Sequence, residues 1–207
     1  MDRDASLIYV LLAESPLRSF VCAVLLSAAL KPVALDSAHE YLTQPMSDRP
    51  TCLVLGTELP DMSGLTLQRR ISAGRASLVF VSERVDVALS VSAIKFGAVD
   101  FMAAPLNAVH LIAAVRTALE TNRRERMHRA RIEELRGRYS ELTRREREAL
   151  PLITAGLLNK QAASIMGISP ITLQIHRGRI MRKLAAHSFA DLVRIADALG
   201  NAPEAQA

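Results

Sequence analysis

One stretch of 26 residues, from Asn159 to Leu184, constrains this chain more than any other segment. Gly167 lies where a sharp turn between two helices needs a positive φ, which glycine adopts without steric cost. Ser169 can cap a second helix, and Pro170 suits its first position because no backbone N–H is needed there. A second helix held outward by so tight a turn fits the major groove of DNA. The segment therefore predicts a helix-turn-helix and a DNA-binding function.

Capping patterns predict where the helices around this turn begin. The side chain of Asn159 can cap the first helix of the motif, and Ile168 can pack against Leu173 at the start of the second. Upstream, Thr143 is followed three residues later by Glu146, the spacing of a capping box. We therefore expect a further helix to begin just after Thr143.

The second helix of the motif has a buried and an exposed side when its residues are placed at intervals of about 100°. The buried side is defined by three apolar residues, Leu173, Ile180 and Leu184. The opposite side carries Ile171, Ile175, Gly178 and Arg182. Because two isoleucines are unusual on a solvent-facing side of a helix, we expect them to contact thymine methyl groups.

The candidate DNA-binding residues lie on or beside this exposed side. Gln174 can form two hydrogen bonds with adenine, and Gly178 allows the backbone to approach the bases closely. Four further residues can hold phosphates and set the register on the duplex: Lys160, Thr172, Arg179 and Arg182. We expect His176, which lies beside the buried side, to be a hydrogen-bonded structural residue rather than a ligand-binding one.

The positive charge of the chain is concentrated in its C-terminal part. Residues 1–119 contain 10 Lys or Arg and 11 Asp or Glu, a net charge of −1. Residues 120–207 contain 16 and 10 of these residues, a net charge of +6. This balance suits phosphate binding, although solvated helix faces alone would produce it too. The chain has no Trp, which argues against stacking on single-stranded bases.

Cysteine usage and hydropathy indicate a cytoplasmic protein without membrane contact. Cys22 and Cys52 lie in apolar surroundings and suit buried thiols in a reducing compartment better than a disulfide. No Cys and His residues have the spacing of metal ligands, so we expect no metal or other cofactor. The longest apolar run, residues 21–30, is shorter than the roughly 20 residues that cross a bilayer. The first residues also lack the pattern of a signal peptide.

Short apolar runs with β character alternate with helical stretches through residues 1–119. The predicted strands are Leu7–Leu12, Val33–Leu35, Thr51–Leu55, Leu78–Val81 and Asp100–Met102. The predicted helices are Pro16–Leu30, Ala38–Gln44, Gly64–Ala73, Val85–Phe96 and one that begins at Leu106. This alternation predicts an α/β fold with a doubly wound parallel sheet, whose functional sites gather at the C-terminal ends of the strands.

Two long segments of this part, LVLGTELPDMSGLTLQRR and VFVSERVDVALSVSAIKFGAVDFMAAPL, resemble a response-regulator receiver domain. The framework residues that carry the resemblance are Pro60, Gly64, Gly97, Ala98, Phe101 and Pro105. The segments LTRREREAL, GLLNKQAASIMGIS and TLQIHRGRIMRKL resemble the LuxR-type DNA-binding domain of FixJ/NarL regulators. Together the resemblances imply a flavodoxin-like (βα)5 receiver domain, a long linker helix and a small all-α helix-turn-helix domain.

By this resemblance, the receiver lacks most of its metal-binding acids. Receivers of this family have an acidic pair after the first strand that helps to hold a divalent cation. This chain has Leu12 and Ala13 there, and only Glu14 remains acidic. Since Mg²⁺ needs hard oxygen ligands, the resemblance implies that this position holds no metal.

The residues that accept and pair with the phosphoryl group are also absent by the same resemblance. Gly56 stands where the acceptor Asp should end the third strand, and glycine has no side chain that could act as a nucleophile. Ala104 stands in place of the Lys that would pair with the phosphoryl group. Ser82 keeps the hydroxyl at the end of the fourth strand, where we expect a structural cap, with Phe101 in the core. The resemblance implies a pseudo-receiver that is not phosphorylated in the usual way.

Three alternatives stay open for this pocket. Glu14, Glu58 and Asp61 could form a residual metal site, and Asp61 could accept a phosphoryl group. In receivers, however, the position of Glu58 offers mainly its backbone carbonyl, and the Pro-Asp pair of this loop is mostly structural. A small ligand is the third alternative. It would occupy a cleft bounded by Leu12, Ala13, Gly56 and Ala104.

Beyond Glu120, charges of both signs alternate at the spacing that supports a long solvated helix. We therefore predict a receiver-like domain over 1–119, a helical linker over 120–139, a LuxR-type domain over 140–200 and a disordered tail over 201–207. Two alternatives apply to the linker. Its basic residues could contact DNA phosphates, or it could form a short coiled coil through Met127, Ala130, Leu135 and Tyr139.

A last helix is predicted from Ser188 to Leu199, ended by Gly200. Its apolar face is larger than a small three-helix core needs, and in the resembling family this helix pairs two DNA-binding domains. The face comprises Leu192, Val193, Ile195, Ala196 and Leu199. We therefore expect the protein to bind DNA as a homodimer.

The function expected from the sequence is sequence-specific transcription regulation on double-stranded DNA, with a pseudo-receiver that acts without phosphorylation and no catalytic residue. The first rival is a protein-interaction module that occupies a kinase or a true response regulator. The second rival is a receiver that transfers phosphate through unusual acids. A regulatory protein or a small ligand at the receiver could supply the signal in place of phosphorylation.

Overall fold

The computed structural model of this chain describes residues 6–71 and 74–201. Contacts between residues divide the chain into an N-terminal unit, residues 1–127, and a C-terminal unit, residues 128–207. This division falls inside the segment 120–139 that the sequence predicts as a linker. Of the predicted tail, residues 202–207 lie outside the described residues. Within the described ranges, no helix combines the length and the apolar character needed to cross a membrane.

The N-terminal unit is built on a parallel five-stranded sheet with the strand order β2-β1-β3-β4-β5. The strands are β1 (Leu7–Leu11), β2 (Pro32–Leu35), β3 (Thr51–Gly56), β4 (Ser77–Ser82) and β5 (Asp100–Ala103). Every residue of β3 and β4 is buried, as expected for the inner strands of a sheet covered on both faces. The α/β fold predicted from the sequence is confirmed.

Helices cover both faces of this sheet. They are α1 (Pro16–Ser27), α2 (Ala38–Thr43), α3 (Gly64–Arg70), α4 (Val87–Lys95) and α5 (Ala108–Ser140). Val21 of α1 and Leu111 of α5 belong to one core, together with Val54 of β3. Leu67 of α3 and Leu53 of β3 belong to the core on the other side. Successive side chains of β3 therefore lie in two separate cores, because they point to opposite faces of the sheet.

Two helices begin later than predicted because a polar side chain caps each of them. Helix α4 begins after Asp86, whose carboxylate accepts a hydrogen bond from the N–H of Leu89 at 2.9 Å, rather than at Val85. Helix α5 begins after Asn107, whose side-chain oxygen caps its first turn, rather than at Leu106. The predicted end of one helix at Ala73 lies outside the described residues, and the other predicted helix and strand ends lie within three residues of the observed ones.

A buried amide ties helix α5 to the edge of the sheet where the strands begin. Asn122 is fully buried; its Oδ1 accepts from the N–H of Thr51 at 2.9 Å, and its Nδ2 donates to the carbonyl of Gly74 at 3.2 Å. The guanidinium of Arg126 donates to the carbonyl of Ser47 one turn later. Since Asn122 belongs to the predicted linker, part of that linker is packed in the N-terminal unit.

The C-terminal unit packs the end of α5 with four further helices around one core. These helices are α6 (Arg144–Thr154), α7 (Asn159–Met166), α8 (Pro170–Lys183) and α9 (Phe189–Asn201). Leu135 and Tyr139 belong to this core, so they do not form the coiled-coil face that the sequence offered as an alternative. Helix α9 continues through Gly200 to Asn201, so the predicted helix end at Gly200 is wrong.

The apolar face of α9 is largely used within the C-terminal unit. Leu192 and Ile195 are 0% and 3% exposed in its core, and Ala196 and Leu199 pack against it. The prediction from the sequence is that this face is larger than the core needs. The core is larger than expected because the end of α5 contributes to it.

The turn of the helix-turn-helix has the predicted geometry. Gly167 ends α7 with a φ of +66°, the left-handed region that favours glycine. The Oγ of Ser169 accepts a hydrogen bond from the N–H of Thr172 at 3.1 Å and caps α8, with Pro170 at its first position. The predicted cap at Asn159 is wrong, because Asn159 is already the first residue of α7. There, Gln161 Oε1 accepts from the N–H of Leu158 at 3.0 Å instead.

An ion pair between a buried carboxylate and a partly exposed lysine connects helix α8 to the beginning of α6. Glu146 is 2% exposed, and its Oε2 accepts hydrogen bonds from the N–H of Thr143 at 2.8 Å and from Lys183 Nζ at 2.7 Å. Thr143 in turn caps the N–H of Glu146, which confirms the predicted capping box. Burial alone would raise the pKa of Glu146, but the hydrogen bonds from Lys183 and Thr143 outweigh burial and hold this pKa below its ordinary value.

We predict that Lys183→Met lowers the free energy of unfolding of the C-terminal unit by about 1–3 kcal/mol at neutral pH, because a buried carboxylate loses a charged hydrogen-bond donor. A carboxyl group with a lowered pKa in the folded state stabilises the fold above its ordinary pKa. This contribution is lost as the pH falls through the folded-state pKa of Glu146. Urea denaturation at a series of pH values measures the difference between variant and wild type.

The matched control is Arg182→Met, which removes an exposed cation from the same turn of α8. It should leave the pH dependence of unfolding close to that of the wild type. If Lys183→Met also follows the wild-type curve through the acid range, the ion pair does not stabilise this unit.

Candidate DNA-binding surface and receiver cavity

Helix α8 has an exposed side formed by Ile171, Gln174, Ile175 and Gly178. Ile171 is 73% exposed and Ile175 is 50% exposed. A Cβ atom added at Gly178 would have no other atom within 4 Å, so the space in front of the helix is open at this point. The structure therefore places the residues predicted to contact bases together on one accessible side.

The opposite side of α8 is anchored in the core of the C-terminal unit. Leu173, Ile180 and Leu184 are each 0% exposed, as predicted from their spacing. A rotation of α8 about its axis would expose these side chains to water and is strongly opposed by the hydrophobic effect. The exposed side is therefore held in one orientation relative to its own domain.

Of the residues predicted to hold phosphates, Thr172, Arg179 and Arg182 lie on α8, and Lys160 lies in the first turn of α7. Lys160, Arg179 and Arg182 are exposed, and none of them has an acidic partner in the part of the chain that the structure describes. The hydroxyl of Thr172 lies 2.9 Å from that of Ser169, so it is partly engaged in the cap of α8. Helix α8 contains four basic residues and no acidic residue, which gives its surface a positive field.

Two neighbouring residues of α8, His176 and Arg177, are partly buried against their own domain. The Nδ1 atom of His176 is buried and has no hydrogen-bond partner among the described protein atoms, so this atom gives no support to the hydrogen-bonded structural role expected for the residue. The guanidinium of Arg177 lies over the ring of Phe189 in α9, 4.9 Å from the ring centre. This cation–π contact turns Arg177 toward α9.

The N-terminal unit contains a cavity of about 230 Å³ at the C-terminal ends of β1, β3 and β4. This is the edge where the sequence predicts the functional site of a parallel sheet. Of the predicted pocket residues, Leu12, Ala13, Gly56 and Ser82 line the cavity. Glu14 and Ala104 do not belong to its walls. The remaining walls come from Ser15, Leu17, Thr57, Glu58, Val81, Glu83 and Arg84.

Leu12 packs against the space where a side chain at position 56 would lie. Gly56 is buried, and a Cβ atom added there would lie 3.1 Å from Cδ2 of Leu12 and 3.3 Å from the carbonyl oxygen of Glu58. Leu12 itself is 5% exposed and belongs to the core beneath α1. The apolar side chain of Leu12 therefore lies beside Gly56, which has no side chain.

Ser82 and Phe101 have the structural surroundings predicted for them. The Oγ of Ser82 accepts a hydrogen bond from the N–H of Arg84 at 3.3 Å just beyond β4. The ring of Phe101 stacks on that of Phe80, with 6.1 Å between the ring centres. The N–H of Ala104 donates to the carbonyl of Ser82 at 2.8 Å, so Ala104 extends the pairing of β4 and β5.

The acidic residues near this cavity do not converge on a common point. Asp61 caps α2 instead, because its carboxylate accepts hydrogen bonds from the N–H groups of Ala38 at 3.0 Å and His39 at 2.9 Å. Desolvation alone would raise the pKa of Asp61, but these N–H groups hold it below the ordinary value. Across the described residues, no three His, Cys, Asp or Glu side chains form a group that could hold a metal ion.

Sequence reasoning missed several residues that shape the two sites. Thr57 and Arg84 line the cavity, and their positions directly after β3 and β4 were the signal that could have identified them. Lys183 looked like one more basic residue of α8, but it pairs with Glu146. No local pattern could show this, because 37 positions separate the two residues.

Two protein-family descriptions match separate parts of the chain. Residues 14–116 match the response regulator receiver domain. Residues 140–196 match the bacterial regulatory proteins of the luxR family. The two matches fall on the N-terminal sheet and on the helices of the C-terminal unit.

Individual proteins match nearly the whole chain. Response regulator protein TodT of Pseudomonas putida is 34% identical over 206 residues, which cover 99% of this chain and 91% of TodT. Transcriptional regulatory protein FixJ of Rhizobium meliloti is 32% identical, with 92% of this chain and 94% of FixJ covered.

A solved structure also resembles this one along almost its full length. Response regulator StyR superposes with a TM-score of 0.75 at 32% identity, covering 93% of this chain and 98% of StyR. The chain therefore belongs to the DNA-binding response regulators of transcription that join a receiver domain to a LuxR-type helix-turn-helix domain.

Proposed function

We propose that this protein recognises specific sequences in double-stranded DNA through helix α8 and regulates transcription without aspartyl phosphorylation of its receiver. The observation that carries the proposal is the contrast between its two units. The DNA-facing side of α8 is complete and accessible, whereas the receiver cavity is bordered by Gly56 and Leu12. The output surface is thus retained while the phosphorylation chemistry is lost.

In the proposed complex, α8 enters the major groove with its exposed side toward the bases. Gln174 pairs with adenine, Ile175 contacts a thymine methyl group, and Gly178 allows the helix backbone to approach closely. Phosphates on either side are held by Lys160, Thr172, Arg179 and Arg182. The Glu146–Lys183 ion pair supports this arrangement by fixing the last turn of α8.

In the proposed receiver, three separate requirements for phosphorylation are unmet. Gly56 provides no nucleophile, and the side chains of Leu12 and Ala13 provide no oxygen ligand for Mg²⁺. Ala104 provides no cation to pair with a transferred phosphoryl group. The separation of Glu14, Glu58 and Asp61 argues against a substitute metal site.

The proposed regulator acts as a homodimer on two half-sites about one helical turn apart.

A second candidate role, binding of a regulatory protein through the receiver, is favoured by one observation. Val87, Val91 and Ile94 of α4 are 69%, 47% and 47% exposed at positions that share one side of the helix. Contiguous exposed apolar residues of this kind mark protein-interaction surfaces.

We predict that Gln174→Ala relaxes the preference for one base pair of the binding sequence by about 1–3 kcal/mol, because the bidentate contact with adenine is lost. Competition binding with duplexes that differ at single base pairs measures this change. Arg179→Ala serves as the control, since loss of a phosphate contact should weaken binding to all sequences equally and reduce the salt dependence. An unchanged base preference in Gln174→Ala would exclude this contact.

We predict that incubation with acetyl phosphate and Mg²⁺ adds no phosphoryl group to the protein and leaves its DNA affinity unchanged. The physical reason is that Gly56 provides no nucleophile at the expected acceptor position and that the side chains of Leu12 and Ala13 provide no metal ligand. Intact-protein mass spectrometry and a DNA-binding titration measure the two outcomes. A phosphoryl adduct on Asp61 or another acid would show that the receiver uses unusual acids.

The variant Gly56→Asp tests whether the missing nucleophile alone explains this behaviour. We expect it to remain unphosphorylated, because Leu12 and Ala13 still provide no metal ligand and Leu12 crowds the new side chain. Phosphorylation of this single variant would show that the metal site is intact and that only the acceptor is missing.

A further inference from the structure

Ile171 and Ile175 form an exposed apolar pair, called here the isoleucine pair, at the N-terminal end of α8. Ile171 is the more exposed of the two, at 73% against 50%. They are four positions apart and therefore share one side of the helix. Single exposed apolar residues are common on proteins, but two adjacent ones on one side of a helix form a continuous apolar surface.

The surroundings of the isoleucine pair point to DNA rather than to an apolar protein partner. Helix α8 carries four basic residues and no acidic residue, and Arg179 and Arg182 are exposed on its C-terminal half. Gly178 leaves open space beside the pair. An apolar contact bordered by cations and open backbone matches a groove that offers methyl groups between two rows of phosphates.

We propose that the isoleucine pair reads C5-methyl groups in the major groove and so makes binding sensitive to base methylation, with Ile171 as a specificity-determining residue beside the proposed contacts of Gln174, Ile175 and Gly178. The inference rests on the proposed DNA-binding function. Isoleucine has no hydrogen-bonding group, so it cannot sense the donors and acceptors of a base edge. What it can sense is the presence of a methyl group at C5.

This mode of reading has a consequence for modified DNA. The C5-methyl group of thymine has its counterpart in 5-methylcytosine, while cytosine and uracil carry none. The isoleucine pair should therefore favour thymine over uracil and 5-methylcytosine over cytosine at the same positions. Binding of this protein would then depend on cytosine methylation wherever a methylated cytosine lies beneath the pair.

The spacing of the pair sets how many methyl groups it can reach. Four residues of an α-helix advance about 6 Å, and successive base pairs are about 3.4 Å apart. A helix that runs along the groove thus places the two side chains about two base pairs apart. We expect methyl reading at one or two positions within three successive base pairs.

The test begins with a short duplex selected from random-sequence DNA by the full-length protein. Each thymine of this duplex is replaced singly by uracil, which removes one methyl group and keeps the base pair. At one or two positions we expect the replacement to weaken binding about two- to fivefold, the range for losing one buried methyl group. At the same positions, a methylated C·G pair should bind more tightly than an unmethylated one by a similar factor.

Protein variants assign the effect to the isoleucine pair. Ile171→Ala should abolish the difference between thymine and uracil at one position, and Ile175→Ala should do so at a position about two base pairs away. Both residues are exposed and alanine favours helix, so both variants should fold. The matched control is Ile165→Ala on α7, an isoleucine that is 64% exposed outside the recognition helix. It should keep the full difference.

Each outcome decides between distinct conclusions. If uracil leaves the affinity unchanged at every position, or if Ile171→Ala shows the same loss as the wild type, the methyl-reading role of Ile171 is wrong while the DNA-binding function stands. If the protein selects no sequence at all, the proposed function fails together with this inference. If uracil weakens binding of the wild type at one position and Ile171→Ala removes this difference there, Ile171 is established as a reader of methyl groups.

Discussion

Burial of one side of helix α8 is the interaction on which the output of this protein depends. Leu173, Ile180 and Leu184 are fully buried, so the opposite side of the helix, with Ile171, Gln174, Ile175 and Gly178, faces outward. The turn at Gly167 and the cap at Ser169 set where this helix begins, but they leave its rotation about its own axis undetermined. The apolar contacts of the buried side determine that rotation, and with it which side chains can meet DNA.

Electrostatic pairing refines this arrangement. Lys183 lies in the last turn of α8 and binds Glu146, which also closes the capping box at the start of α6. The Glu146 carboxylate thus accepts a hydrogen bond from a backbone N–H at the beginning of α6 and also holds Lys183 at the end of α8. Because Glu146 is buried, removal of Lys183 leaves the Glu146 carboxylate without a cation and poorly solvated. The basic residues that remain exposed on α8 are the ones available to phosphates.

The fold of the receiver does not depend on the residues that stand at the cavity, so it is compatible with the proposed loss of phosphorylation chemistry. A parallel sheet with this strand order brings the ends of β1, β3 and β4 to one edge, whatever residues stand there. Here the edge encloses a cavity of about 230 Å³ bordered by Leu12, Gly56 and hydroxyl side chains. The framework depends on apolar burial in two cores, which these positions do not disturb. We infer that the receiver serves as a platform for dimerisation or partner binding.

The sequence by itself determined the α/β order, the helix-turn-helix and the two sides of α8, because each rests on local spacing: period two, period 3.6 and single turn residues. Through resemblance, it also predicts that the receiver lacks its metal-binding acids and its phosphoryl acceptor. Only the tertiary structure decided that Lys183 binds Glu146, that Asn122 anchors α5 to Thr51, and that Tyr139 joins the C-terminal core. These contacts join residues that are distant in the chain. Which residues meet depends on how the helices and strands pack, and no local sequence pattern contains this information.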